Sequence, residues 1–209
     1  PSVLAKLVGR GLGDKLHSLA NDDDPRVVRS GGRGKSIGSQ SALGRVEATP
    51  ELRAEVLGHL ADRVAARLRK ADRAGRTVTV RVRFPGMRSI TRSLTVEDPV
   101  ASTLTLREIA EQLVAQALSD NEAEREVTLL SISVSNLVEQ AAVQLELPVV
   151  EDDPHRMGSP TGSARLALDK SVDAVRERFG KESVAYATPA FSERGAVPDE
   201  FRELAERDS

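Results

Sequence analysis

Two hydrophobic rhythms alternate along the chain. In RTVTVRVRF, residues 76–84, the period is two: Val78, Val80, Val82 and Phe84 fall on one side of a strand, and Thr77, Thr79, Arg81 and Arg83 on the other. Pro85-Gly86 marks a turn, after which MRSITRSLTV returns as a second strand with Ile90, Leu94 and Val96 opposite Ser89, Thr91, Ser93 and Thr95. Arg92 has the apolar parity, which predicts a bulge or a sheet edge there. EVTLLSISVSNLVE reads as a further strand, with Leu130, Ile132 and Val134 on one side and Ser131, Ser133 and Ser135 on the other. KSIGSQSALGRVEAT, residues 35–49, reads as a polar edge strand.

Between the strands the spacing changes to that of helices. In PELRAEVLGHLADRVAARLRKADRAG the residues Leu52, Val56, Leu60, Val64 and Leu68 recur every fourth position, and Leu57 and Ala61 widen the apolar face. Thr49 is placed to cap this helix, Pro50 suits its first position, and Gly75 is expected to end it. TLREIAEQLVAQAL gives a second helix with Leu106, Ile109, Leu113, Val114 and Leu118 on one face, and Thr105 with Glu108 spells a capping box.

The order β-α-β-β-α-β over residues 35–137 implies an α+β fold. Its expected form is a two-layer arrangement, a four-stranded antiparallel sheet with both helices on one face. A short helical N-terminal segment precedes it, ending in an acidic, Pro-bearing break at residues 21–25. A partly helical C-terminal tail follows, whose Leu168, Val172, Val175 and Phe179 form a stripe expected to dock on a core or on a missing domain. If the helices cover the valine side, then Thr77, Thr79, Arg81, Arg83, Ser89, Thr91, Ser131 and Ser133 carpet an open face with hydroxyls and guanidiniums.

Charge sharpens the meaning of that face. The formal net charge of −2 conceals 16 Lys and Arg against 6 Asp and Glu over residues 25–97, and 9 against 13 over residues 148–209. A basic block beside an acidic tail is the distribution of a chain that meets a polyanion through one part only. Single-stranded RNA readers stack bases on exposed aromatics, which this face lacks. Hydroxyls and arginines along extended backbone suit sugar and phosphate oxygens instead, although any solvated sheet face is polar.

Other chemistry is thin. The chain has no Cys, so disulfides and thiolate metal sites are excluded and a reducing cytoplasm is the expected location. No apolar run approaches the roughly 20 residues of a membrane span, and the N-terminus lacks a signal pattern. His17, His59 and His155 lie far apart, and the acidic run at residues 22–24 lacks further oxygen ligands at fixed spacing, so no metal site is expected. The glycines of residues 9–13 follow no strand, which excludes a dinucleotide fingerprint. No nucleophile–base pair stands out, and no catalytic residue or cofactor is assigned. VQLELPVVEDDP, residues 143–154, is ambiguous: an edge strand packed on the domain, or an extended peptide held out for a partner before acidic chain that cannot continue a sheet.

In their order along the chain, GRGKSIGSQSALG, VTVRVRF, SITRSLT and LLSISVSNL resemble the little finger domain of Y-family translesion polymerases of the DNA polymerase IV (DinB) type, in a bacterial, actinobacterial-like form. LGDKLHSLANDDDPRVV resembles the end of that family's thumb, and LALDKSVDAVRERFG and VPDEFRELAERD resemble bacterial C-terminal sequence. The resemblance implies a partition into a thumb end (1–28), a basic linker (29–34), the little finger (35–137), a clamp-binding segment with acidic linker (138–163) and a helical tail (164–209). It implies that duplex primer-template DNA is gripped through the sheet by Lys35, Ser36, Ile37, Arg81, Arg83, Ser131 and Ser133, with Arg88 and Arg92 next in line. QLELP resembles the family's sliding-clamp-binding pentapeptide, which implicates Gln144, Leu145, Leu147 and Pro148. The chain departs from the family at residues 39–43, where a Phe and an acidic residue often follow KSIG. Palm and fingers, where such polymerases hold Mg2+, have no counterpart, so the chain is expected to be inactive alone and to partner its own palm, fingers and thumb. The rival class is a small-molecule-sensing βαββαβ regulatory domain that oligomerises.

Overall fold

The computed structural model describes residues 2–24, 26–27, 34–139, 153 and 155–186. Two compact units divide the chain, Pro1–Gly34 and Lys35–Ser209. In the first, helix α1 (Ser2–Val8) turns at Gly9, φ 85°, into helix α2 (Arg10–Ala20). The two pack closely at Gly13, where a Cβ would lie 2.7 Å from the Ala5 nitrogen. Beyond α2 the Asp24 carboxylate is held by the Arg26 guanidinium, which places it well below its ordinary pKa.

The second unit follows the expected order: β1 (Ser36–Glu47), α3 (Pro50–Lys70), β2 (Arg73–Arg83), β3 (Ser89–Val100), α4 (Thr103–Ser119), β4 (Glu126–Glu139) and, farther on, α5 (Pro160–Phe179). All neighbouring strands are antiparallel, in the spatial order β1-β4-β2-β3. Val78, Val80 and Val82 of β2, Phe84 just beyond it, and Leu130, Ile132 and Val134 of β4 are fully buried. Against them lie Leu57, Leu60, Val64 and Leu68 of α3 and Leu106, Ile109 and Val114 of α4. Both helices therefore cover one face of the sheet. Thr49 caps α3 as expected, its hydroxyl accepting the Leu52 N–H at 3.3 Å, with Pro50 first in the helix.

Local chemistry departs from expectation at two places, Gly75 and Thr105, and meets it at Arg92. Gly75 does not end α3: the helix stops at Lys70, and Gly75 sits buried inside β2. Its lack of a side chain is required there, because a Cβ would approach Val134 Cγ1 at 2.3 Å and the Ser135 carbonyl at 2.9 Å. The Thr105/Glu108 capping box does not form, since α4 begins three residues earlier, with Ser102 at its N-cap and no side-chain cap from that residue. Arg92 marks a sheet edge, on β3, but not a bulge, since it pairs in register with Val80; the irregularity lies at the other end of β3, between the pairs Thr77–Thr95 and Gly75–Val100.

Helix α5 lies on the helical layer chiefly through polar side chains, with Leu166 packed against the core. Asp169, 1% exposed, accepts the Thr103 N–H at 2.9 Å and so supplies from a distant helix the cap that α4 lacks locally. Arg69 of α3, its side chain largely shielded, reaches Asp169 at 3.4 Å and grips Asp173 with two hydrogen bonds of 2.6 and 2.9 Å. Arg176 pairs with Asp62 at 2.8 Å, and Arg165 forks onto Glu108 at 2.7 and 2.8 Å, which holds the Glu108 carboxyl below its usual range. The stripe expected to dock faces outward instead, with Leu168, Val175 and Phe179 exposed. The Tyr186 hydroxyl donates to Asp169; burial first, and that carboxylate second, push the phenol well above its ordinary value.

Two measurements follow. Gly75→Ala should cost about 1–3 kcal/mol of unfolding free energy in urea, as overpacking does, and a variant as stable as the parent contradicts the close approach. Because its pKa is raised, the folded chain holds the Tyr186 proton where the unfolded chain has begun to lose it. This contribution is complete below the ordinary value of 10.0 and fades as pH rises through the raised value. Stability should thus fall from pH 9 to pH 11, roughly the window around a free phenol's titration, and fall less in Tyr186→Phe.

Candidate nucleic-acid interface

Because side chains alternate along a strand, burial of Val78, Val80 and Val82 turns Thr77, Thr79, Arg81 and Arg83 to the opposite face. Register extends each of these into a row across all four strands. The rows are Ser36, Ser135, Thr77 and Thr95; Gly38, Ser133, Thr79 and Ser93; Gln40, Ser131, Arg81 and Thr91; and Ala42, Leu129, Arg83 and Ser89. These positions carry no acidic side chain and no aromatic ring. An arginine placed here meets no carboxylate on the same strands, so its charge faces outward uncompensated.

The hydroxyls of the face divide into two groups. On β2 and β3 they satisfy one another: Thr77 and Thr95 lie 2.9 Å apart, Thr79 and Ser93 2.9 Å apart, and the Asn136 amide donates to Thr77 at 2.8 Å. On β4 and β1, Ser131, Ser133, Ser135 and Ser36 make no side-chain hydrogen bond among the described residues. Their hydroxyls remain available as donors. Arg81 is exposed and touches Ser89 at 3.2 Å, while Arg83 is half-buried and donates from Nε to Thr128 at 3.0 Å.

The remaining expected positions separate by sidedness. Lys35 and Ser36 are exposed at the start of β1, but Ile37, opposite Val134, packs its side chain toward the core and offers the open face only backbone. Arg92 and Arg88 do not belong to the open face. Register sets Arg92 opposite Val80, so it turns to the helix side and pairs with Asp120 at 2.7 Å. Arg88 lies over the buried Phe84 ring, 4.7 Å from its centroid, and pairs with Glu124 at 3.0 Å. Gln144, Leu145, Leu147 and Pro148 lie outside the described residues. Ser135 joins the face as its alternation with Ser131 and Ser133 implies, and so does Gln40, which the motifs do not single out and the two-residue period through Ser36 and Gly38 would indicate.

Among the described residues no group of three or more His, Cys, Asp or Glu converges as metal ligands would, and the palm carboxylates that hold Mg2+ in the family resembled have no counterpart to test. No helix among them is long and apolar enough to cross a membrane.

Residues 34–147 match the family model described as the impB/mucB/samB family C-terminal domain. Over 207 residues the chain is 48% identical to DNA polymerase IV 2 of Mesorhizobium japonicum, covering 99% of this chain and 50% of that protein. It is 42% identical over 123 residues to DNA polymerase IV of Alkalilimnicola ehrlichii, covering 58% of this chain and 33% of that one. DNA polymerase IV of Streptomyces coelicolor matches at 31% over 137 residues, 65% of this chain and 28% of that protein. A solved Y-family DNA polymerase chimera aligns at TM-score 0.45 and 18% identity, covering 66% of this chain and 38% of that one. The chain thus spans half or less of the length of the relatives it matches.

Proposed function

The chain belongs to the impB/mucB/samB family as the C-terminal, little finger region of a DNA polymerase IV type protein, and from that premise we propose that its open sheet face grips duplex DNA by the backbone. The observation that carries this reading is the acid-free array around Arg81, with the unpaired hydroxyls of Ser131, Ser133 and Ser36 beside it. A phosphate oxygen lying over β4 accepts hydrogen bonds from these serines while Arg81 and Lys35 supply charge. Arg83, steadied by Thr128, contributes its remaining guanidinium N–H groups. None of these groups discriminates between base edges, so the grip is independent of sequence and weakens steeply with salt. In a longer polymerase this region would hold primer-template duplex for a catalytic part elsewhere, in keeping with translesion synthesis.

The segment 144–148 adds a second contact in this reading. Gln144, Leu145, Leu147 and Pro148 form a short peptide whose two leucines anchor in an apolar groove of a bacterial sliding clamp while the glutamine amide bonds at the rim. Such a contact is modest alone and gains by tethering to the DNA grip.

Arg81→Ala with Arg83→Ala should weaken duplex binding for every sequence and lower the slope of log affinity against log salt by about two. Arg92→Ala, which removes only an ion pair on the helix side, should leave that affinity unchanged. Titration of labelled duplex at several salt concentrations checks both, and unchanged affinity of the double variant at low salt rejects the assignment. Gln144→Ala with Leu147→Ala should abolish association with a bacterial clamp in surface-plasmon measurements, leaving stability within roughly 0.5 kcal/mol; a large loss of stability would make the segment structural.

A further inference from the structure

The turn between β2 and β3 carries a residue that the fold itself does not use. Gly86 and Met87 occupy consecutive left-handed conformations, φ 73° and 68°. They lie in the three-residue loop Pro85–Met87 closed by Phe84 and Arg88, and a left-handed conformation there suits glycine but strains a residue with a long side chain. Met87 nonetheless holds such a conformation, and it is 73% exposed. The tip is also firmly seated. The Phe84 N–H donates to the Arg88 carbonyl at 2.8 Å, and Arg88 is held by Phe84, Asn121 and Glu124. An exposed apolar group on a strained but braced turn is the pattern of a side chain kept for an outside contact.

Its surroundings indicate the partner. The last cross-strand pair before the tip is Arg83 with Ser89, both on the open face. From Phe84 to Leu94 the chain has no acidic residue, and the hairpin's Arg88 and Arg92 pair with Glu124 and Asp120. We propose that Met87 is a DNA-contacting residue, an apolar tip that lies against sugar or base edges of the duplex held on the adjacent arginine and hydroxyl rows. This rests on the DNA-binding reading above. Methionine suits the task, since its unbranched, polarizable side chain conforms to irregular apolar surface such as a deoxyribose edge or a thymine methyl.

The contact has a signature that a phosphate contact lacks. Met87→Gly, measured in the full chain against fluorescein-labelled primer-template duplex, should reduce affinity on the order of five-fold. The loss should be equal at every salt concentration between about 50 and 200 mM, because no counterion is released by an uncharged group. Melting temperature should be no lower than that of the parent, since glycine relieves the strain. Met87→Leu, which keeps an apolar body, should retain parental affinity. Unchanged affinity of Met87→Gly overturns the inference, as does a shallower salt slope or a lowered melting temperature. If the parent chain itself fails to bind duplex, the broader reading falls and this contact with it. A parent that binds while Met87→Gly binds equally well sinks the contact alone.

Discussion

The alternation of β2 is the constraint on which the molecule rests. A strand in a two-layer domain has one face to bury, and the valines at 78, 80 and 82 leave no choice about which. Once they lie under α3 and α4, the intervening residues must look away from the core, and pairing on both sides of β2 extends that choice to β3 and β4. A slip of one residue would bring Arg81 under the helices and expose three valines, at a cost of several kcal/mol. Hydrophobic packing on one face and charge placement on the other are thus a single decision.

The attachment of α5 uses different physics. Arg69 and Asp169 are withdrawn from water, which is unfavourable for each charge alone and tolerable only because each finds directed partners, the part-exposed Asp173 among them. The Arg69 guanidinium also donates to the Ala101 carbonyl and the Thr103 hydroxyl, so its fork is consumed by one geometry. An arrangement of this kind contributes orientation more than affinity: a shift along the helix would strand a buried charge, whereas a greasy interface would slide. It joins α5, which lies beyond the family match ending at residue 147, to a layer that the match includes.

Much of this was legible from residue order because local and tertiary preferences agree. The period-two run from Val78 to Phe84, the Thr49-Pro50 helix start and the serine alternation in β4 each gave the observed element and the observed sidedness. Where the reading failed, a distant residue decided. Gly75 resembles a helix terminator, yet what demands a glycine is Val134 on another strand. Thr105 and Glu108 have the spacing of a cap, yet Asp169, 66 residues beyond Thr103, supplies one earlier in the chain. The stripe on α5 looks like the docking face because apolar residues usually dock, and the ion pairs that displaced it leave no periodic trace. Arg92 was suggestive, since its parity was noticed, but only pairing with Val80 and proximity to Asp120 showed that it turns inward. The division of the hydroxyls into paired and unpaired groups depends on register and was not readable at all. The pentapeptide at 144–148 remains a reading of sequence.

The position of β4 also orders events during synthesis. Among the described strands it is the last made and the one lying between β1 and β2. Only the β2–β3 hairpin can form from neighbouring chain; β1 has no partner until residues 126–139 have been made. At about 5–20 residues per second, the ribosome leaves β1 waiting for several seconds with an unmatched edge. Its composition is suited to that interval: serines, glycines and a glutamine, with few of the β-branched residues that would recruit another nascent chain. The late closing of the sheet therefore accounts for a plain first strand as well as for a central last one.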